Sequence, residues 1–342
     1  MIVDYQGHWY PETYFESILN RDGYPRTERR PEGGYYLDNA PRERWFVPPL
    51  HTDLEAHFAS MDDAGIDVVV SSPNMVCDVG WLDLIEARDT VQLANEETAR
   101  VQREYSDRFV GLAMLPMQDT DAALTELNRA VTELGLKGVT VIANTGGEQI
   151  ASERTLPIFR RIAELGVPLF LHPSHRSVAF GMQLGTAVER GLNWMWDTSL
   201  AVLSLIRSGT LDACPTLTVV HPHLGGVLPY VLGRVSWQEA LPDPLGTLEV
   251  QDEFRPSLQK APIEDYLRAR IYTDTVSYTP GALRLAIDTY GLDRVVFATD
   301  YPWQLPRARA LDLVREAVPE AEAEAILREN RVSGLVLPTA AR

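Results

Sequence analysis

The chain has 342 residues, of which 45% are hydrophobic and 23% are charged, and its formal net charge is −17. This composition is typical of a globular protein with a large core, and the negative charge argues against nucleic acid and anionic membranes as partners. No apolar run approaches the roughly 20 residues of a membrane span, and the chain begins without the pattern of a secretory leader. Two cysteines make no disulfide framework, which fits a reducing compartment. We therefore expect a soluble cytoplasmic enzyme or binding protein.

Eight short apolar runs predict strands, and most of them are apolar throughout, as parallel strands covered on both faces are. The runs are residues 2–8, 67–72, 109–114, 138–142, 168–172, 217–223, 270–275 and 294–300. Amphipathic segments predict helices at 53–64, 90–105, 120–134, 153–165, 198–208, 281–290 and 307–314, with a closing helix at 320–335. The repeated alternation predicts an α/β fold, the closed (β/α)8 TIM barrel, with a doubly wound open sheet as the alternative.

Three connections are too long to be simple turns, at residues 10–52, 173–197 and 238–266. We interpret them as loop insertions in a single barrel domain that covers residues 1–342. The first two directly follow strands, so in a barrel they would lie over the C-terminal mouth, where lids and specificity loops are found. The third follows a strand and a short helical stretch, which leaves its position open. Contacts between subunits are the alternative role for all three.

Histidines are concentrated at the predicted strand ends. The chain has seven, and five lie at or just past the end of a strand: His8, His172, His175, His221 and His223. In a barrel of this kind the C-terminal strand ends carry the active site. The distribution therefore predicts a functional site at the mouth.

A metal site is predicted from three of these strand ends. His8 and His172 end the first and fifth strands, and Asp300 emerges from an apolar run at the end of the eighth. Two imidazoles, one carboxylate and an open position form a common ligand set for catalytic zinc, and manganese or iron is also compatible. Gln6, two residues before His8, is expected to face the mouth as well, and Gly7 between them would let the backbone pass close to the ion.

Other residues are expected to serve the chemistry around the ion. His223, before a Gly pair, is a candidate general acid or base. His221 shares its predicted face and is favoured as a hydrogen-bond partner over a ligand. Asp274 is expected to orient His223 or His172. The candidates for substrate binding follow the fifth strand: Arg176, Trp194 and Trp196. The guanidinium of Arg176 could clamp a substrate carboxylate, and a surface salt bridge is the alternative role for it.

Six ordered stretches carry a family resemblance: residues 3–11, 107–116, 134–139, 168–173, 223–226 and 296–302. Through them the chain resembles the amidohydrolase superfamily, in the amidohydrolase 2 branch, nearly end to end. That branch includes aminocarboxymuconate-semialdehyde decarboxylase, the γ-resorcylate and 5-carboxyvanillate decarboxylases, and related hydratases and carbon–carbon hydrolases. The resemblance implies a dimer or larger assembly.

The resemblance also implies roles for individual residues. His8, His172 and Asp300 match metal ligands, and His223 matches the histidine that activates water or protonates carbon. The other first-strand ligand of the family is usually His or Glu, whereas this chain has Gln6. Because a neutral amide is a weak ligand, the site is expected to keep three ligands, to recruit His221 or His175, or to have lost decarboxylase chemistry.

The leading hypothesis is a lyase or hydrolase that uses one divalent metal, zinc as the first choice, on a small carboxylated compound that is aromatic or unsaturated. His223 or Asp300 would move the proton in either reaction. A second hypothesis is a non-haem iron hydroxylase, with two metals held by the surplus histidines. A third is a degenerate barrel that binds a ligand or serves as partner subunit to an active paralogue, and Gln6 is the feature in its favour.

Overall fold

The computed structural model describes residues 1–40, 43–73, 78–174, 187–240 and 257–339. Its central feature is a parallel sheet of seven strands whose spatial order follows the chain. The strands are Val3–Gly7, Val68–Ser71, Phe109–Ala113, Gly138–Ile142, Leu169–His172, Val219–His221 and Ile271–Thr273. Each lies within a run that the sequence predicts to be a strand.

The eighth predicted strand closes the sheet. Residues 295–301 pair with the last strand through a parallel bridge between Val295 and Thr273, and with the first strand through a bridge between Tyr301 and Gly7. The amides of Tyr5 and His8 donate to the carbonyl oxygens of Phe297 and Tyr301, and the amide of Val296 donates to the carbonyl oxygen of Thr273. The predicted (β/α)8 barrel is therefore confirmed, and residues 295–301 form the seam that closes it.

Helices cover the outside of the barrel between the strands. In chain order they are Glu12–Ser17, Leu54–Ala64, Leu84–Glu104, Thr120–Asn128, Leu156–Leu165, Ala187–Arg207, Thr210–Ala213, Leu228–Ala240, Ile263–Arg270, Pro280–Tyr290, Arg307–Ala317 and Glu320–Glu324. Short 3₁₀ turns occur at Pro49–His51, Val79–Trp81 and Leu292–Arg294, and π-helical turns at Arg129–Glu133 and Ala325–Glu329.

Three helix predictions differ from the structure. The third helix begins at Leu84 rather than residue 90, because the Asp83 side chain accepts the amide of Glu86 and caps an earlier turn. The helix expected from residue 198 already begins at Ala187. The closing helix ends in a π-helical turn near residue 329 and does not reach residue 335. Directly after this turn, the side chain of Asn330 donates to the carbonyl oxygens of Leu292 and Val295.

The insertion at residues 10–52 is a folded unit at the mouth of the barrel. It contains the helix Glu12–Ser17 and an antiparallel sheet of the strands Arg26–Arg29, Tyr35–Ala40 and Glu43–Val47. Phe15 stacks on Tyr35 with ring centroids 4.9 Å apart, which ties the helix to the sheet. A small hairpin, Asn144–Thr145 with Glu148–Gln149, follows the fourth barrel strand.

The barrel interior is filled by alternate residues of its strands. This core cluster contains Val3, Tyr5, Val68, Val70, Val110, Leu112, Phe170, Val220, Tyr272, Val296 and Ala298. Further clusters lie between the strands and the helices. His172, Asp274 and Asp300 each come two residues after an inward-facing core residue, so they continue this inner face at the C-terminal mouth. Across the described ranges, no helix has the length and hydropathy of a membrane span.

Candidate metal centre and active site

A β-bulge in the first strand turns Gln6 toward the mouth. Asp4 pairs with Val69 and Gly7 with Ser71, so three residue steps on the first strand match two on its neighbour. Regular alternation would place Gln6 on the same face as Asp4, toward the helices. With the bulge, the Gln6 side chain instead lies 3.2 Å from the His223 ring, between Nε2 and Nε2.

Gly7 is needed for packing rather than for approach to an ion. A Cβ atom at this position would lie 2.3 Å from Cγ2 of Val69. The close approach that the structure shows at Gly7 is thus to the second barrel strand.

His8, His172 and Asp300 converge at the mouth. One ligand atom from each lies within 4.8 Å of the other two. Nε2 of His8 is 2.9 Å from Oδ1 of Asp300, and the rings of His8 and His172 meet edge to face with centroids 5.0 Å apart. The three residues are at most 7% exposed. The structure therefore brings together the three ligands that the sequence predicts.

The donor pattern of these residues fits a bound cation. Nδ1 of His8 lies 2.9 Å from the carbonyl oxygen of Ser72, so this nitrogen carries the ring proton. Nε2 of His8 lies 2.9 Å from Oδ1 of Asp300, a contact that either a proton or a bound cation between the two atoms satisfies. Nε2 of His172 is buried and has no hydrogen-bond partner in the described part of the chain. Burial keeps the pKa of His172 well below its usual value, which leaves this nitrogen free to coordinate.

His223 is held in a left-handed turn beside these ligands. His223 and Leu224 have φ angles of 59° and 53°, and Oδ1 of Asp274 accepts both of their amides, at 2.8 and 3.3 Å. The turn places Nε2 of His223 4.0 Å from Oδ2 of Asp300. Burial lowers the pKa of His223, with the charge of Asp300 acting in the opposite direction. A neutral imidazole therefore stands next to the proposed ligands.

The Asp274 side chain contacts the backbone of His223 and not its imidazole ring. The carboxylate also accepts the amide of Val276 at 2.9 Å, and burial raises the pKa of Asp274 to about 8. The carboxylate thus determines the conformation of the turn that carries His223, which is an indirect form of the orienting role that the sequence suggests.

The other candidates are placed differently. His221 lies on the outer face of its strand, with Nδ1 2.9 Å from the hydroxyl of Tyr290, and burial lowers its pKa to about 3. His221 is not part of the converging group. The left-handed turn at His223 breaks the alternation that would have placed these two histidines on the same face. His175 and Arg176 lie outside the described residues. Trp194 and Trp196 lie on the helix Ala187–Arg207 rather than in a loop.

An aromatic surface begins at His8, and of its members the sequence predicted only Trp194 as a site residue. The ring of Tyr10 stacks on His8 at 6.4 Å and on His51 at 5.8 Å, and His51 contacts Trp303 at 4.3 Å. The ring centroid of Trp45 lies 6.1 Å from that of Trp303 and 6.0 Å from that of Trp194. We call this surface the aromatic wall, and its members are Tyr10, His51, Trp303, Trp45 and Trp194. His51 does not end a barrel strand, so its position in the sequence gives no signal, whereas Trp303 follows Asp300 closely enough to be noticed.

Two buried carboxylates hold the segment that follows His172, and the sequence analysis did not identify them. Asp197 accepts the backbone amide of Ser174 at 3.1 Å, and Asp78 accepts its hydroxyl at 2.8 Å. Asn144 also donates to Asp197. Burial raises the pKa of Asp78 to about 6. These contacts fix the start of the connection beyond the fifth strand.

Fold and site together define a (β/α)8-barrel enzyme with a candidate metal site at its C-terminal mouth. The chain belongs to the amidohydrolase family, whose model matches residues 3–330.

Three similar proteins are all decarboxylases. A 2-amino-3-carboxymuconate-6-semialdehyde decarboxylase of Dictyostelium discoideum is 30% identical over 258 residues, covering 74% of this chain and 67% of that protein. A gamma-resorcylate decarboxylase of Polaromonas sp. strain JS666 is 30% identical over 254 residues, covering 71% and 75%. A solved 5-carboxyvanillate decarboxylase of Novosphingobium aromaticivorans, with bound manganese, has 25% identity, a TM-score of 0.77 and coverage of 96% and 95%.

These relatives confirm the amidohydrolase 2 branch and the leading hypothesis of a metal-dependent lyase or hydrolase. They lend no support to the hydroxylase or to the non-catalytic subunit. The site supports a metal ion without identifying it.

Proposed function

We propose that this protein decarboxylates a small aromatic carboxylate and holds one divalent cation at His8, His172 and Asp300. The observation that carries the proposal is the convergence of these buried ligand atoms, one from each residue, within 4.8 Å of one another. The three named relatives are decarboxylases, which favours loss of CO2 over hydrolysis.

We further propose that Gln6 is the fourth ligand. Its Oε1 atom is buried without a hydrogen-bond partner among the described residues, while its Nε2 atom faces His223. Two imidazoles with a carboxylate and an amide oxygen form a site with much oxygen character, which suits manganese. Manganese in the Novosphingobium relative supports this choice over the zinc expected from the sequence. Because the Gln6 amide is neutral, the cation here keeps one more unit of positive charge than it would beside a carboxylate.

The chain's own groups have distinct tasks in this reaction. When bound, the cation would supply positive charge that holds the substrate carboxylate in place. The Gln6 amide N–H donates to Nε2 of neutral His223, which leaves the ring proton on Nδ1 and fixes the orientation of the imidazole. Asp274 holds the same residue through its backbone.

Proton transfer completes the reaction. Protonation of His223 at Nε2 displaces the hydrogen bond from Gln6, and the imidazolium then donates this proton to the ring carbon that bears the carboxylate. A C–H bond forms, the C–C bond to the carboxylate breaks, and its electron pair restores the aromatic ring as CO2 leaves. One proton is consumed per turnover, and His223 returns to its neutral form.

The test uses the full chain loaded with Mn²⁺. It is incubated separately with 2,6-dihydroxybenzoate, 5-carboxyvanillate and 2-hydroxybenzoate, and with a set of aryl esters and lactones, while CO2 and hydrolysis products are measured. We expect CO2 release from at least one carboxylate and deuterium incorporation at the vacated ring carbon in D2O. Hydrolysis of the esters or lactones without CO2 release from any carboxylate would contradict the proposal.

A further inference from the structure

His51 is an unusual member of the aromatic wall because its polar atoms are buried and unsatisfied. The residue is 4% exposed. Neither Nδ1 nor Nε2 meets a hydrogen-bond partner within the described ranges. The carbonyl group of Pro48 lies near enough to favour the charged ring slightly, but burial dominates and lowers the pKa of His51 to about 4. The imidazole is therefore neutral at neutral pH and offers one donor and one acceptor.

The packing around His51 does not need an imidazole. Its ring is nearly parallel to Tyr10, at an interplanar angle of 21°, and meets Trp303 at 64°. A phenylalanine would make similar ring contacts without burying polar nitrogens. Leaving a buried polar group without a partner costs about 1–3 kcal/mol, and such a group in a native structure calls for a ligand or an ordered water.

A second member of the wall has the same property. Nε1 of Trp194 is buried and has no partner in the described part of the chain, and its ring is 6.0 Å from Trp45. The wall thus combines flat apolar surfaces with unsatisfied hydrogen-bonding atoms at two positions. That combination matches an aromatic ring bearing neutral oxygen substituents.

The wall is also continuous with the metal centre. Tyr10 stacks between His8 and His51, and the amide of Trp303 donates to the carbonyl oxygen of Asp300 at 2.9 Å. The aromatic wall therefore begins at the proposed metal ligands.

We propose that the aromatic wall binds the ring of the substrate, and that His51 selects substrates by hydrogen bonding to a neutral hydroxyl group on that ring. This assignment rests on the proposed function. Since His51 is uncharged, it distinguishes hydroxylated rings from bare ones without adding affinity for a second carboxylate. A site built around such a hydrogen bond discriminates strongly against the analogue that lacks the hydroxyl group, because the buried polar atom is then left unpaired.

Binding of 2-nitroresorcinol and 2-nitrophenol to the Mn²⁺-loaded chain tests the assignment without catalysis. The two compounds differ by one hydroxyl group, and the nitro group resembles a carboxylate but cannot leave as CO2. Quenching of tryptophan fluorescence, to which Trp303 and Trp194 contribute, reports their dissociation constants. We expect the native protein to bind 2-nitroresorcinol at least tenfold more tightly than 2-nitrophenol.

Two variants separate hydrogen bonding from packing. His51→Phe keeps the ring contacts and should abolish the preference while leaving the affinity for 2-nitrophenol nearly unchanged, and His51→Gln should restore much of the preference. Melting temperatures verify folding, and His51→Leu replaces the Phe variant if that variant does not fold. Equal losses for both compounds, or an undiminished preference in His51→Phe, would overturn the assignment, as would equal affinities in the native protein. Failure of the native protein to bind either compound, together with no CO2 release, would instead contradict the proposed function and remove the basis for this one.

Discussion

Replacing Arg307 by Met should destabilise the barrel because it leaves the Asp4 carboxylate buried without its counter-charge. Arg307 and Asp4 form an ion pair at 3.2 Å, and both side chains are fully buried. The guanidinium also donates to the carbonyl oxygen of His57 and lies 4.0 Å from the ring of Tyr301. Asp4 in turn accepts the amide and the hydroxyl of Thr299, at 3.0 and 2.6 Å. The pair therefore links the first strand to the residue that precedes Asp300.

The size of the effect follows from this geometry. Methionine fills much of the same volume but leaves a carboxylate buried without its counter-charge, which costs about 3–5 kcal/mol. An unfolding entropy of about 2.1 cal/mol/K per residue gives roughly 0.7 kcal/mol/K for 342 residues. The expected fall in melting temperature is therefore about 4–7 °C.

Calorimetry of the metal-free protein at one scan rate measures this change. The double variant Asp4→Asn with Arg307→Met should recover a large part of the loss, because the amide oxygen still accepts from Thr299 and no unpaired charge remains. A fall of less than about 1 °C for Arg307→Met, or strictly additive effects in the double variant, would refute the reasoning.

Three further predictions concern the site. Gln6→Glu should raise the affinity for Mn²⁺ by at least about tenfold, since it adds a charged ligand, and calorimetric titration measures this. His172→Ala should reduce bound manganese from about one ion per chain to a small fraction, because it removes one of the proposed ligand atoms. The matched control is His221→Ala, on the outer face of its strand, which should keep its metal in elemental analysis. His223→Asn should lower kcat for CO2 release by roughly 10²–10⁴-fold, since it removes the proton donor, while bound manganese stays at the native level.

The opposite results would be informative. Unchanged affinity in Gln6→Glu would mean that this side chain does not reach the ion. Equal metal loss in the His172 and His221 variants would point to general destabilisation. A His223→Asn variant that keeps its kcat would assign proton transfer to another group, with Asp300 as the remaining candidate.

The sequence predicted the barrel and the convergence of three candidate ligands because both follow from simple regularities. Apolar runs mark parallel strands, and the carboxyl ends of those strands meet at one mouth, so His8, His172 and Asp300 had to lie near one another. The resemblance to the amidohydrolases pointed to the same residues. Their convergence in the structure agrees with both lines of reasoning.

Local departures from regular geometry were not predictable in this way. The sequence does place Gln6 at the mouth, but two-residue alternation also gives Asp4 that face, and only the bulge separates the two. Alternation likewise put His221 beside His223, whereas positive φ angles at His223 and Leu224 break the pattern. His51 reaches the site through the fold of a whole insertion, which depends on contacts distant in the chain.

The seam of the barrel gives the metal site a mechanical consequence. Residues 295–301 are joined to the first strand by backbone hydrogen bonds at Tyr5, Gln6 and His8 and to the last strand at Thr273, and Asp300 lies within this stretch. An ion bound as proposed by His8, His172 and Asp300 would tie this stretch to the first and fifth strands at once. Its binding free energy then opposes local opening of the seam. Metal binding and closure of the barrel would then be coupled. The amides of residues 295–301 should exchange faster in the metal-free protein than in the metal-loaded protein.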